Sequence, residues 1–133
     1  MTLRGRRTPR QHRGEQAEEA VARWLARRGH RVLERNFRSR FGEIDLVTLD
    51  GETLVFVEVR YRAADARVRG AQTVTQPKQL RLARAGAAFI NTRRVHADTA
   101  IRFDVVGVTD GASGYQFEVI KGAFELDPES LYA

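Results

Sequence analysis

The first regular pattern of apolar residues along the chain lies between Gly14 and Gly29. Its apolar positions recur at i, i+3, i+4, i+7 and i+8, which places them on one face of an amphipathic helix. They are Ala17, Ala20, Val21, Trp24 and Leu25. The pattern predicts a helix that begins at Gly14, ends at Gly29 and turns this face, with Trp24, toward the core.

The rest of the chain alternates between β-rich runs and one further helix. Strands are predicted over residues 30–37, 43–49, 54–61, 101–108 and 115–120, and the Asp-Gly at 50–51 favours a hairpin between the second and third. Pro77 suits the first turn of a second helix. The buried face expected for that helix carries Leu80, Ala83, Ala87 and Ile90. The order αβββαββ predicts an α/β fold with a central mixed sheet flanked by helices.

The length fits one domain. The chain has 133 residues, and we expect residues 14–126 to form a single domain between a disordered basic arm at 1–13 and a tail at 127–133. The net charge of +6 is uneven, because the first forty residues carry +8 and the remainder −2. A basic arm ahead of an acidic body is suited to gripping phosphates while carboxylates hold a metal, although a solvated surface would look the same.

Several classes of protein are disfavoured by what the sequence contains. Zero cysteines exclude disulfides and thiolate metal sites. No apolar run approaches the ~20 residues that cross a bilayer, and no signal-peptide core follows the basic arm, so we expect a cytoplasmic protein without membrane contact. Aromatic residues are sparse on the faces predicted to be exposed, which disfavours a base-stacking surface.

Two carboxylates interrupt the most apolar strands of the chain. If the hairpin pairs Leu49 with Leu54, Asp45 lies directly opposite Glu58; a tighter loop sets Glu43 there and leaves Asp45 diagonal. Either register brings like charges together, and a cation or a proton between them would relieve the repulsion. Mg²⁺ or Mn²⁺ is a suitable cation, with the Val59 carbonyl as a further ligand.

A third acid, Glu18, lies at the edge of the apolar stripe of the first helix, and it is the acid there best placed to look toward the sheet. The simpler alternative is that Asp45 and Glu58 pair with arginines across a half-exposed sheet face. The candidates for such pairing are Arg60, Arg62 and Arg102. Spacing alone does not decide between a metal site and a salt-bridged surface.

A resemblance adds to these observations. The motifs Gly14-x-x-Ala-Glu18, Asn36-x-Arg38, Gly42-Glu-Ile-Asp-Leu-Val47 and Phe56-Val-Glu-Val-Arg60 resemble the YraN-like uncharacterised protein family of bacteria. That family is similar to the restriction-endonuclease-like, PD-(D/E)xK nucleases and most of all to archaeal Holliday-junction resolvases. The resemblance implies Mg²⁺-dependent hydrolysis of duplex or branched DNA, and by analogy a homodimer.

Carried over by motif, the resemblance assigns the metal-binding carboxylates to Asp45 and Glu58 and a supporting carboxylate to Glu18. The motif lysine is replaced by Arg60, which supplies charge but cannot act as a base. Three alternatives stay open: Arg60 suffices, Lys78 reaches in from the second helix, or the protein binds nucleic acid without cleaving it. Candidate contacts to the DNA backbone are Arg38, Arg62, Arg67, Arg69 and Lys78.

Overall fold

The computed structural model describes residues 8–62 and 74–125. Two helices and five strands follow one another in the predicted order αβββαββ, so the α/β class with a mixed sheet is confirmed. Their bounds are α1 Pro9–Arg27, β1 His30–Ser39, β2 Gly42–Asp50, β3 Thr53–Arg62, α2 Gln76–Thr92, β4 Ile101–Gly111 and β5 Gly114–Ile120.

Helix α1 begins at Pro9, five residues before the predicted start at Gly14. Thr8 and Gln11 form a capping box: the Gln11 amide donates to Thr8 Oγ1 at 3.1 Å, and the Thr8 amide donates to Gln11 Oε1 at 2.9 Å. The prediction was wrong because the apolar period starts only at Ala17, whereas the cap lies upstream of it. Residues 9–13 of the expected arm are therefore helical, while residues 1–7 and the tail at 127–133 lie outside the described residues.

The five strands form one sheet in the order β1-β2-β3-β4-β5. All neighbours are antiparallel except β3 and β4, which are parallel and joined by the crossover that contains α2. Helix α1 covers one face, where Val21 and Leu25 pack against Leu46 and Val57. Helix α2 covers the other face, which gives the sheet a helix on each side.

The buried face of α2 differs from the predicted one. Ala83 is buried as expected, Leu80 and Ile90 are half-buried, and Ala87 is exposed. The buried positions are Leu82, Ala83, Ala85, Gly86 and Phe89. The helix is turned by about one residue step, roughly 100°, because the lack of a side chain at Gly86 lets it lie against Phe56: a Cβ there would stand 2.9 Å from the ring. No helix within the described residues is long and apolar enough to cross a membrane.

Candidate active site at the divergence of β2 and β3

The register of the β2–β3 hairpin decides where its two acids lie. Leu49 pairs with Leu54, as one of the two predicted registers requires, and the ladder runs on as far as Leu46 and Val57. Asp45 and Glu58 are the next pair in this register, but the backbone pairing stops before them. Instead, the Asp45 carboxylate accepts a hydrogen bond from the Val59 amide at 2.7 Å. The two acids therefore face each other where the strands part.

Strand β2 also changes face at Asp45. Leu46 packs in the core under α1, whereas Ile44 packs in the core under α2, although residues two apart share one face of a regular strand. The neighbouring strand breaks at the same level: Asn36, between the positions paired with Leu46 and Ile44, has φ +52°. The irregularity places the Asp45 carboxylate where groups from both helical layers can reach it.

Four carboxylates interact electrostatically around this point, and we call them the carboxylate cluster: Glu18, Glu43, Asp45 and Glu58. Burial raises the pKa of Asp45 well above its usual range, and the charges of Glu58 and Glu18 raise it further. Burial also raises the pKa of Glu18, with a contribution from Glu43, while a hydrogen bond to Asp45 opposes it. Three of these acids were predicted from the sequence; Glu43 was considered only in the register that the structure excludes.

Two cations, Lys78 and Arg60, balance the charge of Glu58 from the α2 side. Glu58 is 7% exposed. Its Oε1 lies 2.9 Å from Lys78 Nζ and 3.5 Å from Arg60 Nε. Lys78 is directed there by the start of α2, where Thr75 caps the helix by accepting from the Lys78 amide and Val74 is buried in the core beside Leu82. Of the alternatives left open by the sequence, the structure places Lys78 closest to the motif glutamate.

Asn36 is a further member of the site. It belongs to the motif Asn36-x-Arg38, but the sequence predicted no role for it. With its amide oriented to satisfy its neighbours, the nitrogen donates to Glu43 Oε1 at 2.7 Å and to Glu18 Oε2 at 3.0 Å. Asparagine is also among the residues that best tolerate a positive φ. Asn36 thus permits the positive φ at which β1 is interrupted, and its side chain separates two carboxylates. No periodicity in the sequence indicates either role.

The donor set is chemically suited to a hard divalent cation, because all its ligands are oxygens. The carboxylates of residues 8–62 and 74–125 nevertheless do not converge in a group of three that would hold a metal as they stand. The Val59 amide donates to Asp45 at 2.7 Å, and the Val59 carbonyl stays a predicted ligand. The pair Asp45 and Glu58, one with a raised pKa and one balanced by cations, is the part of the cluster that fits a metal.

The other predicted contacts lie at different places. Arg38 is exposed, with Nε 3.9 Å from Glu43 Oε2, at the rim of the carboxylate cluster. Arg62 closes β3 and donates to the Tyr61 carbonyl at 3.5 Å. Arg67 and Arg69 lie outside the described residues. Arg102, one of the arginines considered as a partner of the site acids, bonds to other carboxylates.

Those other carboxylates form a second, separate group, which we call the arginine network: Asp50, Arg102 and Asp104. Arg102 donates to Asp104 at 2.8 and 3.0 Å and to Asp50 at 2.9 Å. Asp104, 2% exposed, also accepts from the Gly122 amide at 3.0 Å. The hydrogen bond from Arg102 lowers the pKa of Asp50, and the hydrogen bond to Asp104 raises the pKa of Arg102. The charges of this network are therefore balanced by ion pairs among its own members.

A family model matches residues 17–108, from the first buried residue of α1 to the middle of β4, and so includes the whole carboxylate cluster. The chain belongs to the uncharacterised protein family UPF0102. A UPF0102 protein of Syntrophus aciditrophicus is 42% identical over 113 residues, which cover 85% of this chain and 88% of the relative. One of Methylococcus capsulatus is 46% identical over 112 residues, covering 84% and 89%.

The comparison confirms the predicted likeness to this bacterial family. The names of these two UPF0102 relatives state neither an activity nor a ligand. Membership of the nuclease superfamily therefore stays a prediction that rests on the motifs and the site.

Proposed function

We propose that this UPF0102 chain is a cytoplasmic, metal-dependent nuclease that hydrolyses phosphodiester bonds of duplex or branched DNA. The observation that carries the proposal is the interaction of Asp45 with Glu18 and Glu58, which come from three different elements, with Lys78 and Arg60 beside Glu58 at the divergence of two strands. A partly buried like-charge group of this kind destabilises the fold and is typical of a site prepared for a positively charged ligand or a reaction.

Asp45 and Glu58 are the residues that would hold Mg²⁺ or Mn²⁺. Mg²⁺ usually takes only one or two carboxylates from a protein and completes its shell with water and phosphate oxygens, so a third converging carboxylate is not needed. When bound, such an ion lowers the pKa of water and stabilises negative charge on a phosphate. The Val59 amide holds the Asp45 carboxylate in place at 2.7 Å, which fixes one ligand in advance.

Lys78 is the residue we assign to the role of the motif lysine. Its ammonium already lies 2.9 Å from Glu58, and its side chain is 32% exposed, so it borders both the site and solvent. A flexible ammonium can move from a carboxylate to the phosphate bound beside it, whereas Arg60 contributes a fixed guanidinium. The arginine in the motif therefore does not by itself remove the cationic assistance.

Glu18 acts on Asp45 across the cluster. A hydrogen bond between two carboxyl side chains requires that one of them carry a proton. The Asn36 amide donates to the Oε2 atom of Glu18. Arg38 stands at the rim of this cluster, and Arg62 ends the strand that carries Glu58. These arginines, together with Arg67 and Arg69, are the proposed contacts to the DNA backbone.

The test is cleavage of four-way, flapped and linear duplex DNA in Mg²⁺ or Mn²⁺. We expect Asp45→Asn and Glu58→Gln each to lower the cleavage rate by about 10²-fold or more, because the charge that stabilises the transition state depends on them. Glu18→Gln should also slow cleavage. Glu19→Gln is its matched control, since Glu19 is exposed on the same helix and pairs with Arg23. Unchanged cleavage by Asp45→Asn would contradict the assigned site.

A second candidate, a nucleic-acid-binding module without hydrolysis, is favoured by the ion pairs that already neutralise Glu58. Arg60→Lys separates the two functions: a cleavage rate that appears only in this variant shows that the wild type is silent. If the wild type cleaves, Lys78→Gln should abolish most of the rate, while Lys121→Gln, the change at the only other lysine, should not. Equal effects of the two lysine variants would exclude the role assigned to Lys78.

A further inference from the structure

The two edges of the sheet are built differently. Strand β1, at one edge, exposes charged side chains along its length, has a bulge between Val32 and Glu34, and bends at Asn36, where φ is positive. Its charged residues are Arg31, Glu34, Arg35 and Arg38. Charges, bulges and bends are the features by which natural sheets prevent an edge strand from pairing with another chain.

Strand β5, at the other edge, lacks these features. All seven of its residues pair in an unbroken register with β4, and Glu118 is its single charged residue. Within the described residues no strand pairs with its outer edge. Because Gly111 pairs with Gly114 across a two-residue loop, hydrogen-bonded pairs to β4 alternate from there, and the backbone groups of Tyr115, Phe117 and Val119 point outward.

The face of β5 on the α1 side is apolar and only partly covered. Phe117 stacks on Trp24 with ring centroids 5.0 Å apart, and Tyr115 contacts both Phe117 and Tyr61 edge-on, with centroids 6.3 Å apart in each case. We call Trp24, Tyr61, Tyr115 and Phe117 the aromatic row. All four are half-buried and pack against the core on this face of the sheet, where the sequence predicted Trp24 to lie.

We propose that a second copy of this chain pairs with the outer edge of β5, so that two sheets join antiparallel into one across a two-fold axis at Phe117. In that register Gln116 of one copy faces Glu118 of the other, and the one charge of each strand never meets its own copy. The aromatic rows of the two copies become neighbours across the axis. A self-complementary strand satisfies the free backbone groups of both copies with one contact.

The proposed dimer contact is independent of the proposed nuclease activity, since it uses no residue of the carboxylate cluster. Its surface and its register can be tested by cross-linking because the chain has no cysteine of its own. In the proposed register Gln116 and Glu118 form a non-hydrogen-bonded pair, with Cα atoms ~4.5 Å apart, a separation that a disulfide accepts.

The experiment mixes two single-cysteine proteins, Gln116→Cys and Glu118→Cys, under mild oxidation. We expect disulfide-linked dimers from the mixture and far fewer from either protein alone, because each position faces the other and not itself. Both residues are exposed, so the fold should be kept; a thermal melt checks it. Equal cross-linking in all three samples, or none in the mixture, would overturn the register and the surface.

The second measurement is the dimer dissociation constant of the unlinked protein from sedimentation equilibrium. Gln116→Glu sets two Glu–Glu pairs across the axis and should weaken the dimer about three- to tenfold, the effect of two unfavourable cross-strand pairs. The double variant Gln116→Glu with Glu118→Gln should restore it. A wild-type monomer at all concentrations overturns the proposal, as does a dimer indifferent to these variants. If single-stranded DNA quenched the fluorescence of Trp24 in such a monomer, the aromatic row would be a surface that stacks on bases and not a dimer contact.

Discussion

Two groups of acids at one sheet differ in how their charge is balanced. Asp104 has its charge matched by Arg102, with 2.8 and 3.0 Å hydrogen bonds, and by the Gly122 amide. Asp45 has one backbone donor and faces the carboxylates Glu18 and Glu58. β2 carries an acid of each group, Asp45 and Asp50, about 17 Å apart along the strand.

The difference shows in opposite shifts of pKa. Burial and neighbouring carboxylates raise the pKa of Asp45, whereas the hydrogen bond from Arg102 lowers the pKa of Asp50. The first group lowers the stability of the fold at neutral pH, and the second increases it. The charges of the arginine network are balanced by ion pairs that stabilise the sheet, whereas the unbalanced charge of the carboxylate cluster supports the proposed metal site.

The largest expected effect on stability comes from breaking the arginine network. Asp104→Asn leaves Arg102 without its main partner and should lower the free energy of unfolding by about 3 kcal/mol, the usual cost of removing one side of a buried ion pair. Urea denaturation at pH 7 measures it. Asp98→Asn is the control, because the Asp98 side chain is 93% exposed. A loss below about 1 kcal/mol would remove the structural role given to Asp104.

The opposite sign is expected at the site. Asp45→Asn should raise the free energy of unfolding of the metal-free protein by about 1 kcal/mol at pH 8, as relief of unfavourable charge at functional sites commonly does. A group with a raised native pKa favours folding below its unfolded value, ~3.9, and this is lost as pH rises through the native value. The gain from Asp45→Asn should therefore shrink as the pH falls.

Added Mg²⁺ sharpens the same contrast. It should stabilise the wild type and Asp104→Asn by about the same amount, each relative to its own baseline. It should not stabilise Asp45→Asn, since only that variant lacks a proposed ligand. Thermal melts with and without Mg²⁺ measure this. An Asp45→Asn protein less stable than the wild type at pH 8 would show that the carboxylate cluster is structural.

The smallest effect concerns Asp50. Its lowered pKa stabilises the fold above about pH 3.9, the unfolded value, and this stabilisation is lost as pH falls through the native value. Asp50→Asn should cost less than about 1 kcal/mol at pH 7, because the ion pair with Arg102 is partly exposed. Urea titrations at pH 7 and pH 3 should show a larger difference at pH 7 than at pH 3. Glu52→Gln, exposed in the same hairpin, serves as the control.

Much of the fold was predictable because its signals are local. The five strands, the hairpin at Asp50 and the order of elements follow from alternation and turn residues within short segments. The start of α1 was missed because a capping box precedes the apolar period. The buried face of α2 was placed wrongly, since the close contact of Gly86 with Phe56 depends on a strand distant in the sequence.

For the site, the sequence by itself determined which acids are out of place. Asp45 and Glu58 interrupt apolar strands, and Glu18 borders an apolar stripe, so their type and position alone singled them out. It also determined the family, through motifs in a fixed order, and the two registers between which the hairpin had to choose.

Only the tertiary structure decided what surrounds those acids. The end of the β2–β3 ladder at Leu46, the change of face at Asp45 and the positive φ of Asn36 arise from three strands acting together. The approach of Lys78 to Glu58 depends on a crossover helix twenty residues along the chain from its partner. The balance of charge at an acid depends on the tertiary structure, because the side chains that pair with it come from other segments of the chain.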